Sequence, residues 1–149
     1  MKRLNLLVLT ISLSVLLALI SAGCSDTASQ NASGNQKMAP LADMPAEVQT
    51  APVTVREAYR FAFANPEVLK EIPCYCGCGA MGHTSNYACY VSGEDDNDGL
   101  VYDSHALGCS ICVDITQDTM RLLDEGKSTA DIRAYVDQTY SQYGPSNIP

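Results

Sequence analysis

The chain has no tryptophan, only two phenylalanines and only two histidines, and its nine basic residues face seventeen acidic ones, a formal charge of -8. The shortage of positive charge excludes a nucleic-acid-binding protein, because too little is present to neutralise phosphates. A mean hydropathy of -0.02 with 46% hydrophobic residues excludes both a polytopic membrane protein and a wholly disordered chain. A phosphate-cradling glycine loop, a nucleophile triad and a paired general acid and base are missing, so hydrolase and transferase chemistry is not expected. The 149 residues leave room for one domain and a tail.

What the chain does have is cysteine. There are seven: Cys24, then six within the 39 residues from Cys74 to Cys112. Density in that window is well above the roughly 8–10% that marks a cysteine-determined scaffold.

The N-terminus accounts for the first of them. Met1-Lys2-Arg3 is a short basic region, residues 4–20 are an apolar run, and Ser21-Ala22-Gly23-Cys24 follows. Small side chains just before a cysteine, after an apolar run of that length, mark a bacterial lipoprotein signal peptide. Cleavage over residues 1–23 makes Cys24 the new N-terminus and the lipid anchor, with acyl chains such as palmitate. The competing reading is an uncleaved anchor, for which the run is short of the ~20 residues of a span. Either way the domain is exported, and the expected location is the bacterial cell membrane, facing the extracytoplasmic side. Processing removes Lys2 and Arg3 and leaves seven basic against seventeen acidic residues, a charge of -10. Attachment then rests on the lipid rather than on charge.

Residues 24–50 are rich in Ser, Asn, Gln, Ala and Pro without apolar periodicity and read as a flexible tether, roughly 25–30 Å in span. Met38 and Met44 are soft donors, but isolated in such a segment they carry no site. The folded part is expected at 51–149, a small core that needs a staple. Thr54 and Glu57 have capping-box spacing, and Val55, Ala58, Tyr59, Ala62 and Phe63 recur on one helical face to about residue 64. Asn65-Pro66 starts a short helix through 71. Residues 87–91 and 100–102 read as a hairpin around the turn residues Asn97-Asp98-Gly99. A helix is expected over 113–124, inner face Val113, Met120 and Leu123, stopped by Gly126. Ser128 and Asp131 form a second N-terminal box before Ile132, Tyr135, Val136, Thr139 and Tyr140. The fold class is therefore mainly α (small α+β), short helices with a β-hairpin insert around a Cys/His cluster.

That cluster carries the chemistry. Cys74, Cys76 and Cys78 alternate along Pro73-Cys74-Tyr75-Cys76-Gly77-Cys78-Gly79; His83, Cys89, His105 and Cys109-x-x-Cys112 complete it. In a straight strand, residues two apart lie about 6.6 Å apart, too far to share one metal, so the loop has to curl. Gly77 and Gly79 permit that curl. Cys109 and Cys112 have the pair spacing of zinc sites, at the mouth of a helix whose N-terminus favours thiolate.

Metal binding by thiolate and imidazole is the leading reading, with Cu(I) ahead of Zn because crowded thiols suit low-coordinate sulfur ligation. Cys74, Cys76 and Cys78 with His83 or Cys89 would form the primary site. Cys109, Cys112 and His105 would complete it or form a second. Two alternatives stay open: thiol–disulfide redox chemistry at Cys109 and Cys112, and three structural disulfides in a stapled interaction lipoprotein. Covalent haem needs C-x-x-C-H, and Val113 follows Cys112. If the protein is an enzyme, it is a thiol–disulfide oxidoreductase. The partners expected are the membrane, through Cys24, and a metal- or thiol-exchanging protein. His83 is weighed as a ligand against a plain loop histidine, and His105 against a helix-cap role. Tyr75 is read as a packing lid. Glu94, Asp96, Asp98 and Gly99 imitate the front of a calcium loop, but His105 stands where a bidentate Glu is needed, so a solvated hairpin tip is expected.

The string Pro73 to Cys78 resembles the defining motif of the PCYCGC motif-containing lipoproteins. Asn65-Pro66-Glu67, Gly82-His83-Thr84-Ser85-Asn86, Cys89 and Asp103-Ser104-His105 before Cys109-x-x-Cys112 extend the resemblance over roughly 52–143. It implies an exported, lipid-anchored bacterial protein and leaves the chemistry open. Gly126-Lys127-Ser128, Ile132, Tyr135 and Tyr140 behind a C-x-x-C are also similar to the helical hairpin of the cytochrome c maturation protein H. That likeness implies a redox pair at Cys109 and Cys112. The chain departs from it at Val113-Asp114 and in the 14-residue step from Cys112 to Gly126.

Overall fold

The structure is a computed structural model, and the residues it describes are 36–97 and 99–148. Among them are five α-helices and one antiparallel hairpin, joined by short 3-10 turns, which makes the fold mainly α with a small β insert. Helix α1 spans Ala46–Gln49, α2 Val53–Ala64, α3 Pro66–Leu69, α4 Ser110–Asp124 and α5 Thr129–Tyr140. Strands β1, Val91–Glu94, and β2, Leu100–Tyr102, form the hairpin. The leader, Cys24 and the first part of the expected tether lie outside the described residues. No described helix is long and apolar enough to cross a membrane.

Helix α2 starts at Val53 with Pro52 at the cap position, so Thr54 sits inside the first turn and caps nothing. Proline has the preset φ that a helix start needs, which makes a side-chain cap dispensable there. Ala58, Tyr59 and Ala62 are buried as the periodicity predicts, but so is Phe61, on a second face. Helix α1 packs on α2, and Ala39 ahead of it is bonded to Arg60 of α2.

Residues 36–50 are therefore part of the fold, which corrects the expected tether boundary at 50. Val48 and Met44 are buried in the common core. Ala39 exchanges hydrogen bonds with Arg60: its N–H donates to the Arg60 carbonyl at 3.0 Å and its own carbonyl accepts from Arg60 Nε at 2.7 Å. Asn65 Nδ2 donates to the Lys37 carbonyl at 2.8 Å, and Gln36 Nε2 donates to the carbonyl of Met120 in α4. Two isolated apolar anchors and a run of backbone contacts leave no periodic signature, so a polar composition hid them. Met44→Ala is expected to cost about 2–5 kcal/mol in urea denaturation, the usual range for a buried large-to-small change. A methionine on a free tether would leave the midpoint unmoved.

Helix α4 begins three residues earlier than expected, with Cys109 at its cap position and Cys112 in its first turn; it packs on α2 and α5. Gly126, at φ +78, ends it as predicted. The Ser128 box forms: its Oγ accepts the Asp131 N–H at 3.2 Å, and Ile132, Val136 and Tyr140 face inward. The first expected strand is displaced. Asn86 donates its N–H to the Ile72 carbonyl at 2.8 Å and turns the chain, so Tyr87–Cys89 is a 3-10 turn and β1 starts only at Val91. Asp95 closes the hairpin tip by accepting the N–H groups of Asn97 and Gly99 at 2.8 and 2.9 Å. Behind the hairpin, the Tyr59 and Tyr90 rings meet edge to face at 4.9 Å, and Tyr59 donates to the Asp103 carbonyl at 2.9 Å.

Candidate metal centre

The cysteine loop curls as its chemistry requires. Gly77 takes φ +85, a left-handed conformation that other residues avoid, and a 3-10 turn follows at Cys78–Met81. The Sγ atoms of Cys74 and Cys76 come to 3.4 Å, about half their separation in a straight strand. Gly79 contributes differently from expectation: its φ is not left-handed, and a Cβ there would meet the Asn147 Cβ at 3.4 Å. The C-terminal segment lies against the loop at that point. A Cβ on Gly144 would fall 2.8 Å from the Tyr75 carbonyl, so only glycine allows the approach. Tyr75 is buried and donates to Asp137 Oδ1 at 2.5 Å, in keeping with a lid. Burial and that carboxylate push its phenol up to about 12.

Asn147 holds the loop from both sides. It accepts the Cys74 N–H on Oδ1 at 2.6 Å and returns its own N–H to the Cys74 carbonyl at 3.2 Å. Its Nδ2 donates to Cys78 Sγ at 3.5 Å. An amide donor of this kind stabilises a ligating thiolate and fixes its direction, and loss of such a group typically costs 10–100-fold in metal affinity. Asn147→Ala is expected to weaken binding by roughly that factor, read by competition with a chromophoric chelator.

The remaining donors come from four other places. Cys89, in the turn Tyr87–Cys89, puts Sγ 3.6 Å from Cys78. Cys112 puts Sγ 3.4 Å from Cys74 and 3.6 Å from Cys76. A buried polar network pins its backbone: Asn86 Nδ2 and Tyr90 OH donate to the Cys112 carbonyl at 3.2 and 2.8 Å, and Thr116 donates to Asn86 Oδ1 at 2.7 Å. His105 Nε2 lies 3.4 Å from Cys76 Sγ. His83 Nε2 lies 3.6 Å from Asp103 Oδ2, while its buried Nδ1 has no hydrogen-bond partner among the described residues. A ring with one nitrogen on a carboxylate and the other buried and unused is arranged as a metal ligand is. Asp103 Oδ1 also accepts the backbone N–H of His105 at 2.8 Å, so one carboxylate faces the His83 ring and holds the start of the His105 turn.

All eight cysteines and histidines proposed from the sequence, Cys74, Cys76, Cys78, His83, Cys89, His105, Cys109 and Cys112, meet in this one place. Their donor atoms fall into overlapping groups within 4.8 Å: Cys76, His105, Cys109 and Cys112; Cys78, His83, Cys89 and His105; Cys74, Cys76 and Cys78; Cys74, Cys89 and Cys112. These groups could hold a metal ion. The six thiols are free. Their closest sulfur separations, 3.4–3.6 Å, are far beyond the ~2.05 Å of a disulfide. They approach the ~3.8 Å between two thiolates on a tetrahedral ion with bonds of about 2.3 Å.

The thiols govern one another's ionisation. Contact with Cys112 holds the Cys74 thiol down at about 7, and contacts with Cys112, Cys74 and Cys89 depress Cys78. Burial and the neighbouring Cys74 push Cys76 up, and contacts with Cys74, Cys78 and Cys89 push Cys112 up. At Cys89 the Cys112 contact lowers, but Cys74, Cys78 and burial outweigh it. So many sulfurs in one buried volume cannot all ionise without a cation, and a metal must displace the protons that remain.

Asn147, Asn86, Tyr90, Thr116 and Asp103 were given no role by sequence reasoning. The polar stretch around Asn86 and the Asp103-Ser104-His105 string were visible as motif residues only. Nothing near Cys78 in sequence points to Asn147.

A family model described as a protein of unknown function with PCYCGC motif matches residues 13–149. No curated protein and no solved structure matches significantly. The likeness to the cytochrome c maturation protein H finds no support among these comparisons, although α4 and α5 do pack together.

Proposed function

The chain belongs to the PCYCGC-motif family, and we propose that it is an extracytoplasmic lipoprotein that binds a thiophilic metal, Cu(I) ahead of Zn, through its Cys/His cluster. The observation that carries the reading is the convergence of eight soft donors at metal-sharing distances. Cu(I) is favoured because the curled loop crowds Cys74 and Cys76 to 3.4 Å, a setting that suits low-coordinate, clustered sulfur ligation. Export and anchoring rest on the leader and on Cys24 as the lipidated residue, which places the domain at the outer side of the bacterial cell membrane. The partner is then a protein that exchanges metal or thiols with it. No enzymatic step is proposed.

The redox alternative draws on Cys109 at the mouth of α4. The short contacts of Cys112, however, run to Cys74 and Cys76, so the C-x-x-C pair is drawn into the larger cluster. The test is to purify the full chain from the membrane and count bound metal and free thiols on one sample. Stoichiometric copper or zinc with protected thiols is expected. Three disulfides and no metal would sink the reading, and one easily reduced Cys109–Cys112 bridge would transfer it to redox chemistry.

A further inference from the structure

We propose that the cluster is built for two metal ions, each held by three thiolates and one imidazole, an inference that rests on the metal-binding reading above. Eight donors converge, and a tetrahedral thiophilic ion takes about four. A single ion would leave at least half of the donors, thiols among them, without a metal partner.

The distances divide the donors. One set is Cys76, His105, Cys109 and Cys112, with His105 Nε2 committed to its side by the 3.4 Å contact to Cys76. The other contains Cys78, His83 and Cys89, joined by the 3.6 Å contact of Cys78 with Cys89 and by the unused Nδ1 of His83. Cys74 is the donor left over. Its Sγ touches Cys76 and Cys112 of the first set at 3.4 Å each. It also lies within 4.8 Å of Cys78 and of Cys89 in the second. Counted with the second set it gives each ion three sulfurs and one imidazole. The eight donors thus fill two four-coordinate ions with none to spare, and the two sets lie against each other through Cys74, Cys76 and Cys112.

Charge points the same way. Six thiolates with one divalent ion leave four negative charges and with two leave two; with Cu(I) the same step goes from five to four. Of the four described arginines, Arg56 and Arg60 donate to the Ala51 and Ala39 carbonyls, Arg121 pairs with Asp118 and Glu125, and the charge of Arg133 acts on the Tyr75 phenol. Cys74, Cys89 and Cys112 are each 0% exposed and Cys78 1%, so water does not compensate them either.

The test uses the full chain, reduced and metal-free, titrated anaerobically with Zn(II) and followed by native mass spectrometry. A parallel titration with Co(II) is followed by its thiolate charge-transfer absorption. Two zinc ions per chain are expected. The cobalt absorption is expected to rise in proportion to added metal up to the second equivalent, because each ion takes three thiolates. Cys74→Ser is expected to keep the first ion and to bind the second at least about tenfold more weakly, since the second set loses one of its three sulfurs. One zinc per chain would overturn the two-ion centre and leave the metal-binding reading standing. No zinc at all would overturn both. Absorption that stops rising after one equivalent, or a Cys74→Ser chain that binds both ions as tightly, would overturn the division into these two sets.

Discussion

Cys112→Ser is expected to weaken metal binding by roughly a hundredfold, with the fold left in place. Structural zinc sites are worth about 10–16 kcal/mol over four ligands, so one ligand is worth about 3 kcal/mol. Cys112 is the substitution of choice because its sulfur meets both Cys74 and Cys76, while its structural contacts are made by its carbonyl. Serine keeps that carbonyl, with its bonds from Asn86 and Tyr90, and changes only the ligand atom. Competition with a chromophoric chelator measures the loss, and circular dichroism checks the fold. An unchanged affinity would remove Cys112 from the centre.

The second large effect is thermal. An ion held by these donors would tie together the loop at Cys74–Cys78, the turn at Tyr87–Cys89, the His105 turn and the first turn of α4, and so link folding to metal binding. At free metal a thousandfold above Kd the stabilisation is about 4 kcal/mol. For a domain of this size each kcal/mol moves Tm by about 4 °C. Stripping the loaded chain with a chelator is therefore expected to lower Tm by about 15 °C, seen by calorimetry. A Tm indifferent to the chelator would mean that the ion crosses no boundary between elements.

The candidate site was largely legible because its chemistry is concentrated. Every soft donor of the domain outside methionine falls between Cys74 and Cys112, and composition alone finds it. The curl was legible too, since alternate cysteines cannot share an ion along a straight strand and Gly77 offers a way to bend. Asn147 was not legible, because it acts from 69 residues away on Cys78 and looks like any tail asparagine. The helices followed from 3.6-residue periodicity, and their ends did not. The start of α4 is hidden because Cys109 and Cys112 read as ligands before they read as helix. Strand β1 was placed too early because Tyr87, Ala88, Tyr90 and Val91 are apolar enough for a strand, while the bond that turns them, from Asn86 to Ile72, joins distant residues. The segment 36–50 escaped because two buried side chains and several carbonyl contacts make no pattern.

The graded burial of the sulfurs has a kinetic consequence. Cys109 and Cys76 are half-buried, whereas Cys74 and Cys89 have no exposed surface. A thiolate arriving from solution could bond to an ion held at the Cys109 side before any existing bond breaks. At the Cys89 side it finds no line of approach until the surrounding turns open. Under the proposed metal reading, exchange at one face would proceed by handover and at the other by local unfolding, so a single cluster of like ligands would release its ions on two clocks.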